Sequence, residues 1–315
     1  MVDGQPGPLA LVFPGQASQR AGMAANLLAH ESAARDLFQR ASRLLGLDLV
    51  ALCTTGDDAL LTRTDIAQPA LLTTSIAWVA VLRGRGIAPA MVAGHSLGEF
   101  SAWVAAGVLG FDDAIRLVRR RGEIMEEASR RCPGGMLAVI GLTDAQVKEI
   151  CEQAGSAGVV VPANYNSPGQ VVVSGEPAAL QRVGEAVKAA RGRAIPLRVS
   201  GAFHSPLMED AGHVFSALVC KLSIQEPRIP VVANATAEVI TDVEQARKAM
   251  TAQMTSPVLW SASVRRMIRE GFHTFVEVGP GQVLTGLIGR ISTEAQCLPV
   301  GTLEELQTLM EEVRG

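Results

Sequence analysis

The amino-acid sequence predicts an α/β protein in which a large, mostly parallel sheet is interrupted by a second, smaller sheet. Short apolar runs alternate with helical patterns along most of the 315 residues, and this order favours a parallel sheet with helices on both faces. Between residues 133 and 200 the order becomes strand, helix, strand, strand, helix, strand, which is typical of a ferredoxin-like subdomain. We therefore predict a large domain formed by residues 1–132 and 201–315, and a small domain inserted at 133–200.

The elements of the large domain follow from hydrophobic periodicity and from turn residues. The apolar run Leu9–Phe13 is predicted as a strand because Pro14-Gly15 ends it, and residues 69–83 form a nearly all-apolar helix of the kind that lies against a sheet. The other predicted helices are 23–30, 32–47, 98–107, 111–130, 206–222, 242–254, 258–270, one from residue 283, and 303–313. Further strands are predicted at 229–234 and 274–278.

The small domain is predicted from four strands and two helices. The strands are 136–142, 158–164, 170–174 and 194–200, and the helices are 143–154 and 177–190. Thr143 followed by Asp144 is a typical helix start, and β-branched residues dominate 158–164 as they do in strands.

Composition narrows the class of protein. Hydrophobic residues make up 48% of the chain and charged residues 19%, so a compact globular fold is expected. The net charge of −3 gives no reason to expect a nucleic-acid partner. The five cysteines are scattered without a C-x-x-C pair, which favours free thiols in a reducing cytosol over disulfides or a metal site. The sequence has no secretion-signal pattern and no apolar stretch long enough to span a membrane, so we expect a cytoplasmic protein without a membrane partner.

Residues 91–101 carry the strongest local indication of function. A short apolar strand leads into GHSLG at 94–98 and then into a helical pattern, which is the nucleophile elbow of α/β-hydrolase-like domains. Ser96 would stand at the tip of the turn, beside a helix N-terminus whose free N–H groups and dipole favour negative charge. Because the chain contains 31 glycines, an ordinary glycine-rich turn is the alternative interpretation.

A serine nucleophile needs a general base, and His204 is the histidine best placed to act as one. It follows a predicted strand and precedes a helix that starts at proline, and such strand-end loops collect active-site residues. A capping or loop role is the alternative. Three other histidines are interpreted as surface or structural residues: His30, His213 and His273. His95 is interpreted as packing beneath the elbow. No carboxylate is placed to complete a triad, so a backbone or amide carbonyl is expected to orient the imidazole.

Seven blocks of sequence, in order over nearly the whole chain, together resemble one enzyme family. They are FPGQASQ at 13–19, QPA at 68–70, GHSLGEF at 94–100, Arg121-Gly122 with Met125, NSPGQV at 166–171, GAFHS at 201–205 and EVGPG at 277–281. In these blocks the chain is similar to the malonyl-CoA:acyl carrier protein transacylases, including the discrete acyltransferases of polyketide synthases. The ordered set is specific in a way that the elbow alone is not.

This resemblance implies a catalytic apparatus for acyl transfer. Ser96 would attack the thioester of an acyl-CoA to give a covalent acyl-enzyme, with His204 as general base and then as general acid. The resemblance assigns the orientation of this histidine to the backbone carbonyl of Gln253, and the oxyanion hole to the backbone N–H groups of Gln16 and Leu97. Leu97 also fits this role independently, because it follows the nucleophile.

The resemblance also implies the acyl group. Arg121 is one of three consecutive arginines, for which a solvated helix face is the ordinary interpretation. In the family, the arginine before this glycine binds the free carboxylate of malonyl, a task that suits a planar guanidinium. Phe203 stands where members that accept unsubstituted malonyl tend to carry phenylalanine, and Met125 and Asn166 are assigned to the substrate site. Ala17 replaces the family's more usual glycine, and its Cβ disfavours a positive φ in the oxyanion loop.

The expected partners are a coenzyme A thioester and an acyl carrier protein, with neither a bound cofactor nor a metal ion. Carrier proteins are acidic, so a local basic docking patch is predicted near the mouth of the cleft between the two domains. Its candidates are Arg130, Arg131, Lys188, Arg191 and Arg193. We expect a monomer.

Three functions are open at this point. The first is malonyl transfer by a ping-pong path through an ester of Ser96, and the second is a serine acyl hydrolase such as an editing thioesterase. The third is a non-catalytic module that binds carrier proteins. Arg121 and the missing triad acid favour transfer. A substituted malonyl unit is an alternative acyl group because it keeps the same carboxylate, and the sequence does not separate fatty acid from polyketide synthesis.

Overall fold

The structure, a computed structural model, describes residues 7–314, and ten strands in this range form two separate sheets. The prediction about a secretion signal concerns the first residues of the chain, which lie outside this range. The large sheet consists of β1 (Leu9–Phe13), β2 (Met91–Gly94), β7 (Val231–Val232), β8 (Val239–Ile240), β9 (Thr274–Val278) and β10 (Gln296–Val300). The small sheet consists of β3 (Gly135–Ile140), β4 (Val160–Ser167), β5 (Gln170–Gly175) and β6 (Arg193–Pro196).

Helices fill the connections between these strands. Before the small sheet they are α1 (Ala25–His30), α2 (Ser32–Leu45), α3 (Leu49–Thr54), α4 (Asp58–Leu61), α5 (Thr64–Gly84), α6 (Gly98–Ala105) and α7 (Phe111–Arg131). The helices that connect strands of the small sheet are α8 (Asp144–Ala154) and α9 (Pro177–Ala189). The remaining helices are α10 (Glu209–Val219), α11 (Val243–Ala252), α12 (Trp260–Arg269), α13 (Val283–Ile291) and α14 (Leu303–Arg314).

The large sheet has the strand order β10-β9-β1-β2-β7-β8 and is mostly parallel, as predicted. Its first five strands pair in parallel, and β8 pairs with β7 in the opposite direction. The central strand β1 is buried along its whole length, as expected for a parallel strand covered on both faces. Because parallel strands end at the same edge, the loops after β1, β2 and β7 meet there.

The small sheet is antiparallel with the order β4-β5-β3-β6, which confirms the ferredoxin-like prediction. Successive side chains along its strands point to opposite faces of the sheet, and both faces are apolar. Val139, Val171 and Val173 pack beneath α8 and α9, whereas Ala138 and Val172 belong to the same apolar cluster as the core of the large sheet. The predicted division into domains at residues 132/133 and 200/201 stays a prediction, although the strands of the small sheet all lie between these two points.

Helix α5 begins five residues earlier than predicted and contains Pro69 in its interior. Proline lacks the N–H that would bond the carbonyl one turn earlier, so the carbonyl of Asp65 would be left unpaired. The guanidinium of Arg119 donates to that carbonyl at 2.9 Å and replaces the missing bond. The helix is long and apolar enough to cross a membrane, with a mean hydropathy of 1.4, but 94% of this window is buried inside the protein, as in a core helix.

Other differences from the prediction concern short or irregular elements. Helix α4 was not predicted from the sequence, and the side chain of Asp57 caps it. Strand β10 contains Pro299, which argues against a strand but is tolerated because β10 is at the edge of the sheet. The predicted helix 206–222 is a 3₁₀ turn, Pro206–Met208, followed by α10.

Candidate active site

The turn between β2 and α6 holds Ser96 in a left-handed conformation, with φ of 51°. The turn is tight because two glycines let the chain pass close to itself. A Cβ on Gly94 would collide with the backbone of Gly98, and a Cβ on Gly98 would collide with the carbonyl of Phe13. This is the geometry of a nucleophile elbow, and the alternative of an ordinary glycine-rich turn is wrong.

The structure brings Ser96 and His204 together although they are 108 residues apart. Ser96 Oγ lies 2.7 Å from His204 Nε2, and His204 Nδ1 lies 3.1 Å from two backbone carbonyls, those of Gln253 and Ser256. Carbonyls only accept hydrogen bonds, so they fix the tautomer that carries its proton on Nδ1. Nε2 is then free to accept the proton of the serine hydroxyl.

The surroundings of His204 keep its imidazole neutral. Burial lowers the pKa of His204 to about 3, and the positive charge of Arg121 and the neighbouring His95 act in the same direction. The two carbonyls oppose this shift without reversing it. Within residues 7–314 no carboxylate contacts the ring, so two carbonyl dipoles orient it, as expected from the missing triad acid.

Two backbone N–H groups point to an oxyanion hole. Within residues 7–314, the N–H groups of Gln16 and Leu97 donate to no other part of the chain, and both residues line the same cleft as Ser96. The side chain of Gln16 is tied to Thr64 Oγ1 at 3.3 Å. Ala17 adopts φ of 83°, so the strain expected from its Cβ is present, and its N–H donates to Gln19 Oε1 at 2.8 Å.

Arg121 is buried beside the nucleophile, so the interpretation as a solvated helix face is wrong. Its side chain is 1% exposed and lies over the ring of Phe100 at 5.5 Å. Arg121 Nη2 donates to Gln253 Oε1 at 2.7 Å and contacts Ser96 Oγ at 3.4 Å. Burial lowers the pKa of Arg121 to about 10, and the carboxylate of Glu99 opposes that shift.

The charge of Arg121 has no direct counterion in the part of the chain that the structure describes. Its neighbours Arg119 and Arg120 both pair with Glu123 on the helix surface, whereas Arg121 contacts only neutral oxygens. Glu99 is buried nearby, and burial raises its pKa to about 7 against the opposing effects of Asn234, Gln253 and Arg121. A buried guanidinium without a bonded carboxylate is a site prepared for an anionic ligand.

The cleft in front of Ser96 has a volume of about 460 Å³, within the usual range for small-molecule sites. Its walls come from both sheets. The small sheet and the segment after it contribute apolar side chains and the charged side chain of Arg198. The apolar residues are Met136, Ala138, Val172, Leu197 and Val199. Met125 and Phe203, two of the predicted substrate residues, also line the cleft and are buried.

His95 connects the elbow to the small sheet. Its ring packs edge-on against Trp260, which agrees with packing beneath the elbow, and its Nε2 lies 2.8 Å from Asn166 Oδ1. Burial lowers the pKa of His95, so the neutral ring donates to that oxygen and leaves the amide nitrogen of Asn166 for the cleft. Asn164, on the same face of β4, also lines the cleft, and nothing in the sequence had singled it out.

The remaining predicted positions lie away from the nucleophile. His30, His213 and His273 are exposed, and no cluster of metal-ligating side chains occurs among the described residues. Lys188 and Arg193 line a groove along α9 and β6 on the outside of the small sheet. The candidates for the basic patch do not line the cleft itself: Arg130, Arg131, Lys188, Arg191 and Arg193.

Two buried residues behind the elbow carry functional contacts that the sequence did not reveal. Glu99 lies in a matched block but received no role, and Asn234 was interpreted as the end of a strand. Both are 1% exposed. The carboxylate of Glu99 accepts the backbone N–H of Asn234 at 2.8 Å, and the Asn234 side chain reaches the backbone of Ser96. The one signal in the sequence for Asn234 was its position at the end of a predicted strand, where polar side chains can reach an active site.

Fold and site together define an enzyme class, the acyltransferases that carry their acyl group on a serine. A family model for the acyl transferase domain matches residues 10–313, and the chain belongs to this family.

Individual relatives make the comparison more specific. The chain is 46% identical over 284 residues to the malonyl CoA-acyl carrier protein transacylase of Escherichia coli, covering 90% of this chain and 92% of the relative. It is 41% identical over 310 residues to the Bacillus subtilis transacylase, covering 96% and 98%. A crystal structure of an acyl carrier protein S-malonyltransferase from Vibrio cholerae matches with a TM-score of 0.93 at 40% identity, covering 96% and 99%. The resemblance to the malonyl-CoA:acyl carrier protein transacylases is therefore confirmed.

Proposed function

We propose that the protein transfers a malonyl group from malonyl-CoA to the phosphopantetheine thiol of an acyl carrier protein, through an ester of Ser96. The observation that carries this proposal is the position of Arg121. Its buried guanidinium, without a bonded carboxylate, lies 3.4 Å from the hydroxyl that would carry the acyl group. A free carboxylate on the acyl group would supply the missing counterion.

The first half of the reaction forms the acyl-enzyme. His204 Nε2 takes the proton of the Ser96 hydroxyl while Oγ attacks the thioester carbonyl. The N–H groups of Gln16 and Leu97 stabilise the oxyanion of the tetrahedral intermediate. The intermediate collapses as the carbon–sulfur bond breaks, and the imidazolium gives its proton to the leaving thiolate, which departs as coenzyme A.

The second half reverses these steps with another thiol. His204 removes the proton of the pantetheine thiol as its sulfur attacks the malonyl ester. The carbon–oxygen bond to Ser96 breaks, and the imidazolium returns its proton to the serine. No step requires a redox change or a metal ion, so the proposal includes no bound cofactor.

Arg121 would hold the malonyl carboxylate in both halves of the reaction. The guanidinium is anchored by Gln253 Oε1, which receives bonds from Nη2 at 2.7 Å and from Nε at 3.2 Å. An anchored arginine fixes the position of the carboxylate, and so the position of the thioester carbonyl relative to Ser96. An acyl group without a carboxylate would leave the buried charge unpaired, which costs about 2–5 kcal/mol.

The alternative function is hydrolysis, because the elbow and His204 would serve a thioesterase equally well. Transfer is supported by Arg121 and by the histidine orientation through carbonyls instead of a carboxylate. It is also supported by the names of the relatives, one of which is a malonyl-transacylase solved with its type II polyketide synthase acyl-carrier protein, at 40% identity and a TM-score of 0.93. Because the relatives include a transacylase of a polyketide synthase, the proposed transfer fits either fatty acid or polyketide synthesis.

Labelled malonyl-CoA separates the two functions. The enzyme is incubated with it alone, and the acyl-enzyme is followed with and without carrier protein. Transfer predicts an acyl-enzyme that persists and is discharged by the carrier protein. Rapid release of free malonate before carrier protein is added would support hydrolysis instead.

We further propose that Phe203 selects unsubstituted malonyl. It is buried at the cleft wall, together with Met125 and Asn166, which we assign to substrate binding. A ring beside the α-carbon leaves little room for a methyl group, and such discrimination is worth about 1–3 kcal/mol. Phe203→Ser should therefore raise acylation by methylmalonyl-CoA relative to malonyl-CoA by about 10-fold. An unchanged ratio would assign Phe203 to packing alone.

The carrier protein is proposed to approach the basic edge of the small domain, which carries Lys188, Arg191 and Arg193.

We also propose that the enzyme acts as a cytoplasmic monomer. Sedimentation at micromolar concentration tests the monomer, and recovery of the intact protein from the cytoplasmic fraction of its own cells tests the location.

A further inference from the structure

Asn234 holds the backbone of the nucleophile from the neighbouring strand. It lies two residues after β7, which pairs in parallel with the elbow strand β2. The carboxyl ends of these strands meet at one edge of the sheet, so the loop after β7 runs beside the elbow. The side chain of Asn234 is 1% exposed and points at the elbow backbone.

Every polar atom of Asn234 has a partner. Its Oδ1 accepts the backbone N–H of Ser96 at 2.7 Å, and its Nδ2 donates to the carbonyl of Gly94 at 2.6 Å. Its own N–H donates to Glu99 Oε1 at 2.8 Å, and its carbonyl accepts the N–H of Leu259 at 2.8 Å. Because an N–H can only donate and a carbonyl can only accept, the orientation of the amide is unambiguous.

The peptide group on the other side of the nucleophile is held in the same manner. Gln253 Nε2 donates to the carbonyl of Ser96 at 2.7 Å. The backbone N–H and C=O of Ser96 are therefore both bonded to buried amide side chains from other elements. A serine with φ of 51° persists only where surrounding contacts fix it, and these amides supply such contacts.

The contact with Asn234 also decides which N–H group faces the oxyanion. The N–H of Ser96 is occupied and points away from the cleft, whereas the next N–H along the chain, that of Leu97, has no acceptor within residues 7–314. The Leu97 N–H belongs to the peptide group whose carbonyl Gln253 holds, and Asn234 holds the peptide group before it. A rotation of that preceding peptide would shift Ser96 Oγ from its position 2.7 Å from His204 Nε2. Asn234 thus fixes the peptide before the nucleophile and occupies its N–H, which leaves the Leu97 N–H as the donor available to the oxyanion.

We propose that Asn234 is a positioning residue for acyl transfer: its amide fixes the peptide group before Ser96, so that the hydroxyl meets His204 and the Leu97 N–H is left as the oxyanion donor. This inference rests on the proposed function, because it concerns the step that acylates Ser96. Asn234 is not expected to affect binding of malonyl-CoA, since Arg121 is held by Gln253 and Phe100.

The test is a rapid-quench measurement of Ser96 acylation by malonyl-CoA, in the wild type, Asn234→Ala and Asn234→Asp. The burst amplitude reports how much enzyme is folded, and the rate constant reports the geometry of the chemical step. Asn234→Ala should keep its amplitude and lose at least about 10-fold in rate constant, with the half-saturating malonyl-CoA concentration changed by less than about 3-fold. Thr236→Ala, an exposed substitution in the same loop, is the matched control and should acylate at the wild-type rate.

The second variant keeps the test decisive if Asn234→Ala does not fold. Asn234→Asp retains the size and the acceptor for the Ser96 N–H, but an ionised carboxylate loses the donor to Gly94 and lies beside Glu99. It should also slow acylation. A wild-type rate constant in either folded variant, or a reduced amplitude with an unchanged rate constant, would show a structural role only and overturn the inference. If the wild type itself is not acylated by malonyl-CoA, the proposed function fails and not the assignment of Asn234.

Discussion

The two walls of the cleft differ in kind, although both contact the same space. On the wall supplied by the large domain, Ser96 and Arg121 sit among hydrogen bonds from Gln253 that leave little freedom. On the wall supplied by the small sheet, Ala138 and Val172 present apolar surface beside the amides of Asn164 and Asn166. The first wall has the groups that react and recognise charge, whereas the second mainly shapes the cleft.

This difference predicts how substitutions on each wall should behave. A buried polar network responds sharply to the loss of one member, because the remaining partners are left buried and unpaired. An apolar wall contributes to the bound substrate and to the transition state equally, so its loss changes KM more than kcat. The predictions below run from the largest expected effect to the smallest.

The largest effect is expected at the reacting pair. Ser96→Ala should form no acyl-enzyme, and His204→Ala should lower the acylation rate by about 10³–10⁴-fold because the serine then lacks a base. Rapid-quench acylation by malonyl-CoA measures both. His213→Ala, which removes an exposed histidine on α10, is the control and should behave as the wild type. Residual acylation within 10-fold of wild type in His204→Ala would assign the base elsewhere.

The pH dependence tests the buried environment of this pair. The pKa of His204 is lowered to about 3, so the neutral base persists as pH falls below the usual histidine range. kcat/KM should stay nearly constant from pH 8 to pH 5, whereas an ordinary histidine with a pKa near 6.5 would cost about 30-fold at pH 5.

Glu99 must be separated from His204 in this experiment, because its pKa is raised to about 7. Glu99→Gln keeps an acceptor for the N–H of Asn234 while removing the titrating group. An inflection near pH 7 that vanishes in this variant belongs to Glu99. An inflection near pH 6.5 that persists in it would contradict the account of His204.

A smaller effect is expected from the outer edge of the small sheet, and only in the second half of the reaction. The double substitution Lys188→Glu and Arg193→Glu should slow transfer to carrier protein by about 10-fold at low salt and less at high salt, while acylation by malonyl-CoA stays unchanged. Lys148→Glu, on α8 beside the same sheet, is the control for a charge reversal away from this edge, although it changes the net charge by half as much. Equal transfer rates in both proteins would remove this edge from the docking surface.

The smallest effect is expected on the apolar wall, where two adjacent valines make a matched pair. Val172 lines the cleft, and Val173 points into the core beneath α8 and α9. Val172→Ala should raise KM for malonyl-CoA by about 3-fold or less, with kcat unchanged. Val173→Ala should lower the free energy of unfolding by about 1–3 kcal/mol, judged from other buried truncations, and leave KM unchanged. A large fall in kcat for Val172→Ala would break the distinction between the walls.

Much of the fold was predictable because its signals are local. The GHSLG turn, the buried apolar strands and the βαββαβ order all depend on neighbours in sequence. The errors arose where tertiary contacts override local propensity. Pro69 predicts a helix start, but the helix continues around it because Arg119 donates to the Asp65 carbonyl that the proline leaves without its usual partner.

The site divides in the same way. The positions of Ser96 and His204 were predictable because both lie at strand ends in recognisable sequence. Asn234 was not, because its role depends on which strand lies beside β2, and this pairing joins residues about 140 apart in sequence. The burial of Arg121 was also invisible, since it follows two other arginines, Arg119 and Arg120, that both pair with Glu123 and are not buried.

The central claim is that the large-domain wall selects an acyl group by its carboxylate. The most direct measurement is competition between equimolar malonyl-CoA and acetyl-CoA, with the acyl-enzymes distinguished by intact mass in the wild type and in Arg121→Ala. The account predicts that the wild type loads malonyl about 100-fold or more in preference to acetyl, and that Arg121→Ala abolishes this preference. Comparable loading of both groups by the wild type, or an unchanged preference in Arg121→Ala, would contradict it.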